Sequence, residues 1–175
     1  MLDNEEIIAS VRTAAADVFS TMLGMDIEPG PARVEQSAPA VSDGVLSLIG
    51  LAGAWAGAGT VCCSSRLACR ICAQLLMTEP TNVNEEVLDA VGEVTNMIIG
   101  NFKTMAEERL GPLGLSIPTV IFGRNFTSRS IGRDAWIVLP FRCDGEEFEV
   151  RVCLAPAKEP TCIRHGYLHH HSLGV

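Results

Sequence analysis

The stretch DAVGEVTNMIIG, Asp89–Gly100, decides the fold because it lies in the middle of the longest helical pattern in the chain. Asn84-Glu85-Glu86 is typical of a helix start, with an N-cap followed by acids, and Gly111-Pro112 is typical of a helix end. The sequence therefore predicts a helix over residues 84–110. Its apolar side chains recur at helical spacing and define the side that faces the core: Leu88, Val91, Val94, Ile98, Phe102 and Met105.

A polar stripe is predicted on the opposite side of this helix, formed by Asp89, Glu93, Asn96, Gly100 and Lys103. Any surface helix has a polar side, so the spacing alone only suggests a functional face. A glycine inside a helix costs roughly 1 kcal/mol relative to alanine, however, and this helix has two. Gly92 and Gly100 remove bulk where another molecule could approach, and Met97 beside them suits an adaptable contact surface.

The rest of the chain alternates helical and strand-like segments. A helix is predicted over residues 3–23 and another over residues 65–77, with a loop and a short edge strand after the first. Strands are predicted over residues 44–53, 57–65, 116–126, 135–143 and 146–155, the last two joined by an Asp144-Gly145 turn. The order predicts an α+β fold, a two-layer structure in which a mainly antiparallel sheet packs against long helices.

Length and charge restrict the class of protein. The 175 residues fit one domain, predicted over residues 1–156, followed by a poorly ordered tail over 157–175. No apolar run approaches the roughly 20 residues of a membrane-spanning helix, and the acidic N-terminus differs from an export signal, so we expect a cytoplasmic protein. The net charge of −8 argues against nucleic acid and against a polybasic membrane contact.

Cysteines and histidines raise the question of a metal or redox site. Only Cys69 and Cys72, among seven cysteines, have CxxC spacing, and no second pair follows at the distance of a zinc site. The same segment also fits an amphipathic helix with semi-buried cysteines. The C-terminal segment contains four histidines, His165, His169, His170 and His171, which more often belong to a frayed end than to a metal site. We predict no metal or cofactor in this chain.

Together these residues resemble the signature of the CheX-type chemotaxis phosphatases, which belong to a larger group with CheC-type phosphatases and flagellar switch proteins. The signature reads Asp-Ala-x-Gly-Glu-x-x-Asn-Met-Ile-x-Gly, followed by a Ser-x-Pro-Thr-Val strand. Every named position is present in two segments, 89–100 and 116–120. The resemblance extends over roughly residues 5–155 and includes the Gly-rich hairpin and the closing strands.

The resemblance implies hydrolysis of the aspartyl phosphate on a CheY-like receiver domain, in chemotaxis or a related two-component pathway. It implies that Asn96 orients the attacking water and that Glu93 pairs with the lysine of the receiver. The receiver would supply Mg²⁺. Contacts with the receiver are expected at Asp89, Gly92, Met97 and Gly100, although Asp89 could instead stabilise the helix start and Lys103 could be an ordinary solvated charge. The resemblance also implies a homodimer formed through sheet edges, for which the uncharged strand GTVCCS, residues 59–64, is suitable.

Two other interpretations remain open from the sequence. A protein of the same fold could bind a phosphorylated receiver, or act as a flagellar-switch scaffold, without hydrolysis. Such a scaffold has no need of the Glu93–Asn96 pair, and its presence favours an enzyme. The third interpretation is a metal or redox protein built on Cys69, Cys72 and the histidines of the tail.

Overall fold

The computed structural model describes residues 3–36, 43–124, 126 and 135–157. Three α-helices lie in this part of the chain: α1 (Asn4–Val18), α2 (Ser65–Leu76) and α3 (Glu85–Leu110). Helix α1 continues into one turn of π-helix, Phe19–Leu23, which ends at Gly24 with a φ of 61°. Each α-helix begins at a polar cap: Asp3, Ser64 and Asn84 each accept a hydrogen bond from a backbone N–H of the first turn.

Eight strands form one antiparallel sheet. They are β1 (Glu28–Pro29), β2 (Arg33–Glu35), β3 (Asp43–Gly53), β4 (Trp55–Cys63), β5 (Leu113–Leu115), β6 (Thr119–Arg124), β7 (Trp136–Cys143) and β8 (Glu146–Pro156). The strand order is β1-β7-β8-β4-β3-β5. In addition, β2 pairs with β7 beside β1, and β6 pairs with β3 beside β5. The two short strands on each side therefore share one edge of the sheet.

The helices and the sheet form two layers with the main core between them. Alternate residues of the long strands, such as Val45, Ile49 and Val61, belong to the same buried cluster as the apolar residues of all three helices. The intervening residues form two smaller clusters, one around Leu46 and Cys62 and one around Trp136 and Val138. Because side chains alternate across a strand, the small clusters lie on the other face of the sheet. The predicted α+β class is confirmed.

Several details differ from the sequence-based expectations. Residues 59–63 of the segment GTVCCS are part of β4, which pairs with β3 on one side and β8 on the other. The expectation that it offers a dimer edge is therefore wrong, because its backbone groups are already paired. Strand β5 was not predicted, and the predicted strand 116–126 begins only at Thr119. Residues 158–175, with Cys162 and the four histidines, lie outside the described residues, so the proposed tail remains a prediction.

Candidate functional site

Helix α3 carries the predicted site and is fixed at both ends. The Asn84 Oδ1 accepts a hydrogen bond from the Val87 N–H at 3.0 Å, as its position in the sequence indicates. Near the other end, Lys103 Nζ lies 2.9 Å from Glu107 Oε1, which also accepts the Leu113 N–H at 2.8 Å. These two contacts, the backbone hydrogen bond first, lower the pKa of Glu107. Lys103 thus has an intramolecular partner and helps to hold the start of β5.

Most of the surface of α3 is covered by the rest of the protein. The helix packs against α1, α2 and four strands of the sheet. Leu88 and Met105, expected in the core, are half-buried, whereas Thr95 and Ile99 are fully buried. The hydroxyl of Thr95 donates to the Val91 carbonyl at 2.7 Å, which satisfies it inside the core. Besides other exposed positions such as Asn101 and Glu108, the helix has an accessible strip that runs along it through Asp89, Glu93, Asn96 and Gly100.

Glu93 and Asn96 occupy the middle of this strip. Glu93 is exposed and Asn96 is half-buried. Positions three residues apart on a helix place their Cβ atoms roughly 5–6 Å from each other, so the carboxylate and the amide act at one spot. Neither side chain has a hydrogen bond or ion pair with any residue that the structure describes. The pair therefore presents one negative charge and one neutral amide to a molecule that approaches the strip.

The two glycines of α3 have different neighbours. Gly92 is buried, and a Cβ atom there would lie 3.2 Å from Val120 Cγ2 and 3.6 Å from Pro118 Cβ. The small size of Gly92 therefore lets the chain's own segment 118–120 pack closely against the helix. The sequence pattern predicts a partner molecule at this position, not this internal contact. Gly100 is half-buried, and its closest contact would be Leu115 Cδ1 at 3.9 Å. Gly100 therefore has room for a methyl group in ordinary contact with Leu115, whereas Gly92 has a tighter neighbour.

The two other predicted contact residues, Asp89 and Met97, differ in their exposure. Asp89 is exposed and lies one turn before Glu93 on the strip. Met97 is half-buried and packs against the main core, so much of its side chain is occupied within the protein. Sequence reasoning gave no function to Ser116–Pro118, although this segment lies beside α3. Two features of the sequence could have indicated a function: the Ser-x-Pro pattern, and Ile117, an apolar residue outside any alternating strand pattern.

Five of the six cysteines in the described part of the chain are buried. Burial raises the pKa of the Cys63 thiol to about 12 and that of Cys62 to about 11, which keeps both protonated at neutral pH. Cys72 is buried on α2 with its sulfur 3.8 Å from Thr78 Oγ1, while Cys69 is half-buried. Within the described ranges, no three His, Cys, Asp or Glu residues are grouped to hold a metal ion. In the same ranges, no helix is long and apolar enough to cross a membrane.

Comparisons with known proteins identify the family of the chain. The model of the family "Chemotaxis phosphatase CheX" matches residues 45–142, more than half of the chain. No curated protein sequence gives a significant match.

Several solved structures share the fold. The chemotaxis protein CheX from Desulfovibrio desulfuricans is 29% identical, with a TM-score of 0.77 over 86% of this chain and 99% of that one. CheX from Vibrio vulnificus is 27% identical with the same TM-score and the same coverage of both chains. The match from the CheX-CheY-BeF3-Mg²⁺ complex of Borrelia burgdorferi is 25% identical, with a TM-score of 0.73 over 85% of this chain and 97% of that one. The chain belongs to the CheX family of chemotaxis phosphatases.

Proposed function

We propose that this protein hydrolyses the aspartyl phosphate of a CheY-like receiver domain, with the strip on α3 inserted beside the phosphorylated residue. One observation carries the proposal: Glu93 and Asn96 lie together on the accessible strip of a rigid helix, and neither has a partner within the described residues. The membership of the CheX family and the complex between Borrelia CheX and CheY support the choice of substrate.

The chemistry required of such a site is positioning. In phosphoryl transfer the attacking and leaving oxygens lie in line, and catalysis depends on orientation and electrostatic stabilisation. The receiver holds Mg²⁺, a lysine and the phosphoryl group, but no group that orders a water. An amide is suited to that task because it offers a hydrogen-bond acceptor and two donors without a charge. Asn96 would hold the water in line, whereas an aspartate there would repel the phosphoryl oxygens.

Glu93 would fix the register of the two proteins. An exposed carboxylate can form a charge-assisted hydrogen bond with the lysine of the receiver. The missing side chain at half-buried Gly100 would let a receiver loop approach the helix backbone closely. Mg²⁺ enters this proposal only as an ion held by the receiver. The cytoplasmic location expected from the sequence fits this substrate and remains a prediction.

We also propose a homodimer formed through a free edge of the sheet. In the described part of the chain, the edges are made by β1 with β2 and by β5 with β6. The mass of the protein in solution, measured by light scattering during size-exclusion chromatography, tests the oligomeric state. A monomer at micromolar concentration would contradict this part of the proposal.

The experiment that tests the function is phosphate release from a phosphorylated, Mg²⁺-loaded receiver of the same organism. We expect the wild type to accelerate release well above the receiver's own rate. Asn96→Ala and Glu93→Gln should each lower kcat/KM by on the order of 100-fold, because a lost alignment has an effect of this size. Asn101→Ala and Glu108→Gln serve as matched controls, since both are exposed positions of α3 that lie off the strip.

The outcomes separate an enzyme from a scaffold. Loss of activity in the Asn96 and Glu93 variants, with unchanged controls, supports the phosphatase mechanism. A wild type that binds the phosphorylated receiver but leaves its lifetime unchanged contradicts it, and the strip would then be a docking face without hydrolysis.

A further inference from the structure

A short segment that links β5 to β6 runs along α3 beside the strip. Leu115 lies at the level of Gly100, and Pro118 and Val120 lie at the level of Gly92, so the segment is antiparallel to the helix. Asn96 is midway between the two glycines. The helix rises about 12 Å over those eight residues, and the segment 115–120 spans about 16 Å if extended. Ile117, near the middle of the segment, therefore lies at the level of Asn96.

The corner around Ile117 is held firmly. The Ser116 N–H donates to the Gly50 carbonyl at 2.9 Å, and the Ser116 hydroxyl oxygen accepts the Gly50 N–H at 2.9 Å. The same hydroxyl donates to the Ile117 carbonyl at 2.9 Å. A residue before proline is restricted to extended conformations, so Pro118 limits the backbone of Ile117 as well. The backbone that carries the Ile117 side chain is therefore largely fixed before any partner binds.

Ile117 is 85% exposed, whereas the other apolar side chains of the segment are half-buried. Leu115 and Val120 are half-buried and pack against the main core. A large apolar side chain on a preorganised corner is a favourable anchor for a partner, because little conformational freedom is lost when it binds. Its flanking residues, Ser116, Pro118 and Thr119, carry no charge, so the complementary surface on the partner should be apolar.

We propose that Ile117 is a docking residue that packs against an apolar patch of the receiver domain beside its phosphorylation site, while Asn96 enters that site. This inference rests on the proposed function. The receiver is the expected occupant because the corner lies beside α3 at the level of Asn96 and is continuous with the surface that the Glu93–Asn96 pair would present to it. A second copy that adds a strand is disfavoured at this corner, since Pro118 has no N–H to donate and the segment 116–118 separates β5 from β6.

The test measures binding and turnover separately. Ile117→Ser should raise both the KM for phosphorylated receiver and the Kd for BeF3–Mg²⁺-loaded receiver about 5- to 30-fold, as for truncation of an interface anchor. The kcat at saturation should stay within about twofold. The melting temperature should be unchanged, because the side chain is exposed. Val34→Ser is the matched control: Val34 is a β-branched residue, 52% exposed, on β2 at the opposite edge of the sheet.

Each result bears on the inference in a definite way. An unchanged Kd and KM for Ile117→Ser overturns it, as does a change in oligomeric state with no change in Kd, which would assign Ile117 to a second copy. A wild type that binds the loaded receiver without hydrolysis refutes the proposed catalysis, yet a selective rise in Kd for Ile117→Ser would still support docking. A wild type that does not bind the receiver overturns both.

Discussion

Gly92 and Gly100 lie eight residues apart on one helix, and the structure gives them different surroundings. The sequence identified both as places where a side chain is avoided, and it related both to a partner. At Gly92 the nearby atoms belong to Pro118 and Val120 of the same chain. Local periodicity cannot reveal such a contact, because the contact depends on which strand packs against the helix. At Gly100 a Cβ would have its nearest contact, Leu115 Cδ1, at 3.9 Å, so a methyl group fits, and the expectation of a partner stays a proposal.

Gly100→Ala separates stability from activity. The added Cβ would have its nearest contact at 3.9 Å, so no neighbour must move. Alanine should raise the free energy of unfolding by up to about 1 kcal/mol, because it restricts the unfolded chain and favours the helix. If a receiver loop packs directly on the backbone at Gly100, kcat/KM for phosphate release should fall in the same variant. Urea denaturation and the phosphate-release assay measure the two quantities.

Gly92→Ala is the matched comparison. Its Cβ would lie 3.2 Å from Val120 Cγ2, so the gain in helix propensity is offset by a tight contact. We expect less stabilisation than for Gly100→Ala. A Gly100→Ala protein that is more stable and fully active would show that docking does not need the glycine.

The elements were largely predictable because each carries its own signal. Asn84 and Gly111 were read correctly as the ends of α3, since capping depends on residues close in sequence. Strand β5 was missed because three residues, Leu113–Leu115, show no periodicity. It forms by pairing with β3, while Glu107 accepts the Leu113 N–H. Such a strand exists through distant contacts and is invisible to a local pattern.

The distance between α3 and the sheet depends on Gly59 of β4. A Cβ atom at this position would lie 2.4 Å from Cδ1 of the fully buried Ile99. Gly59→Ala should lower the free energy of unfolding by about 1–3 kcal/mol, the usual effect of excess volume in a packed core. It should also lower kcat/KM, because Ile99 is one turn from Asn96 and a small displacement disturbs alignment.

A control substitution and a rescue substitution test this explanation of Gly59→Ala. Gly114→Ala, whose Cβ would be 3.5 Å from the Ala52 carbonyl oxygen, should change stability little. Ile99→Val in the Gly59→Ala protein removes the atom that lies closest and should restore part of the activity. If Gly59→Ala alone is as stable and as active as the wild type, the sheet does not set the position of α3.

At the scale of the whole molecule, strand order was the feature that sequence could not supply. Class and strand directions follow from patterns and turns, but the choice of neighbours does not. Without the strand order, the uncharged segment 59–64 is suitable for a sheet edge, whereas its residues 59–63 lie in the interior of the sheet. At the β2 edge of the sheet, the contacts join residues more than 100 positions apart in the sequence. There, Arg33 and Glu35 of β2 meet Glu149 and Arg151 of β8 across β7.

This four-residue network should make stability depend on pH. Burial alone would raise the pKa of Glu149, but hydrogen bonds from Arg33 and Arg151 outweigh it, so the net pKa lies below the usual value of 4.5. A carboxylate with a lowered pKa stabilises the folded state above its unfolded pKa, and that contribution is lost as the pH falls through the folded pKa. Glu149→Gln should therefore lower the free energy of unfolding by about 1–3 kcal/mol at pH 7.

The difference between Glu149→Gln and the wild type should shrink as the pH falls below about 4.5, where Glu149 of the unfolded chain takes up a proton, and should be lost once the pH has fallen through the lower pKa of the folded state. Denaturation in urea at pH 7, 5 and 3 measures it. Glu147→Gln is the control, because Glu147 is well exposed and its contact with Arg142 is long, at 3.5 Å. A difference that stays constant across this range would mean that the network joins β2 to β8 by shape and neutral hydrogen bonds, with no net contribution from the charge of Glu149.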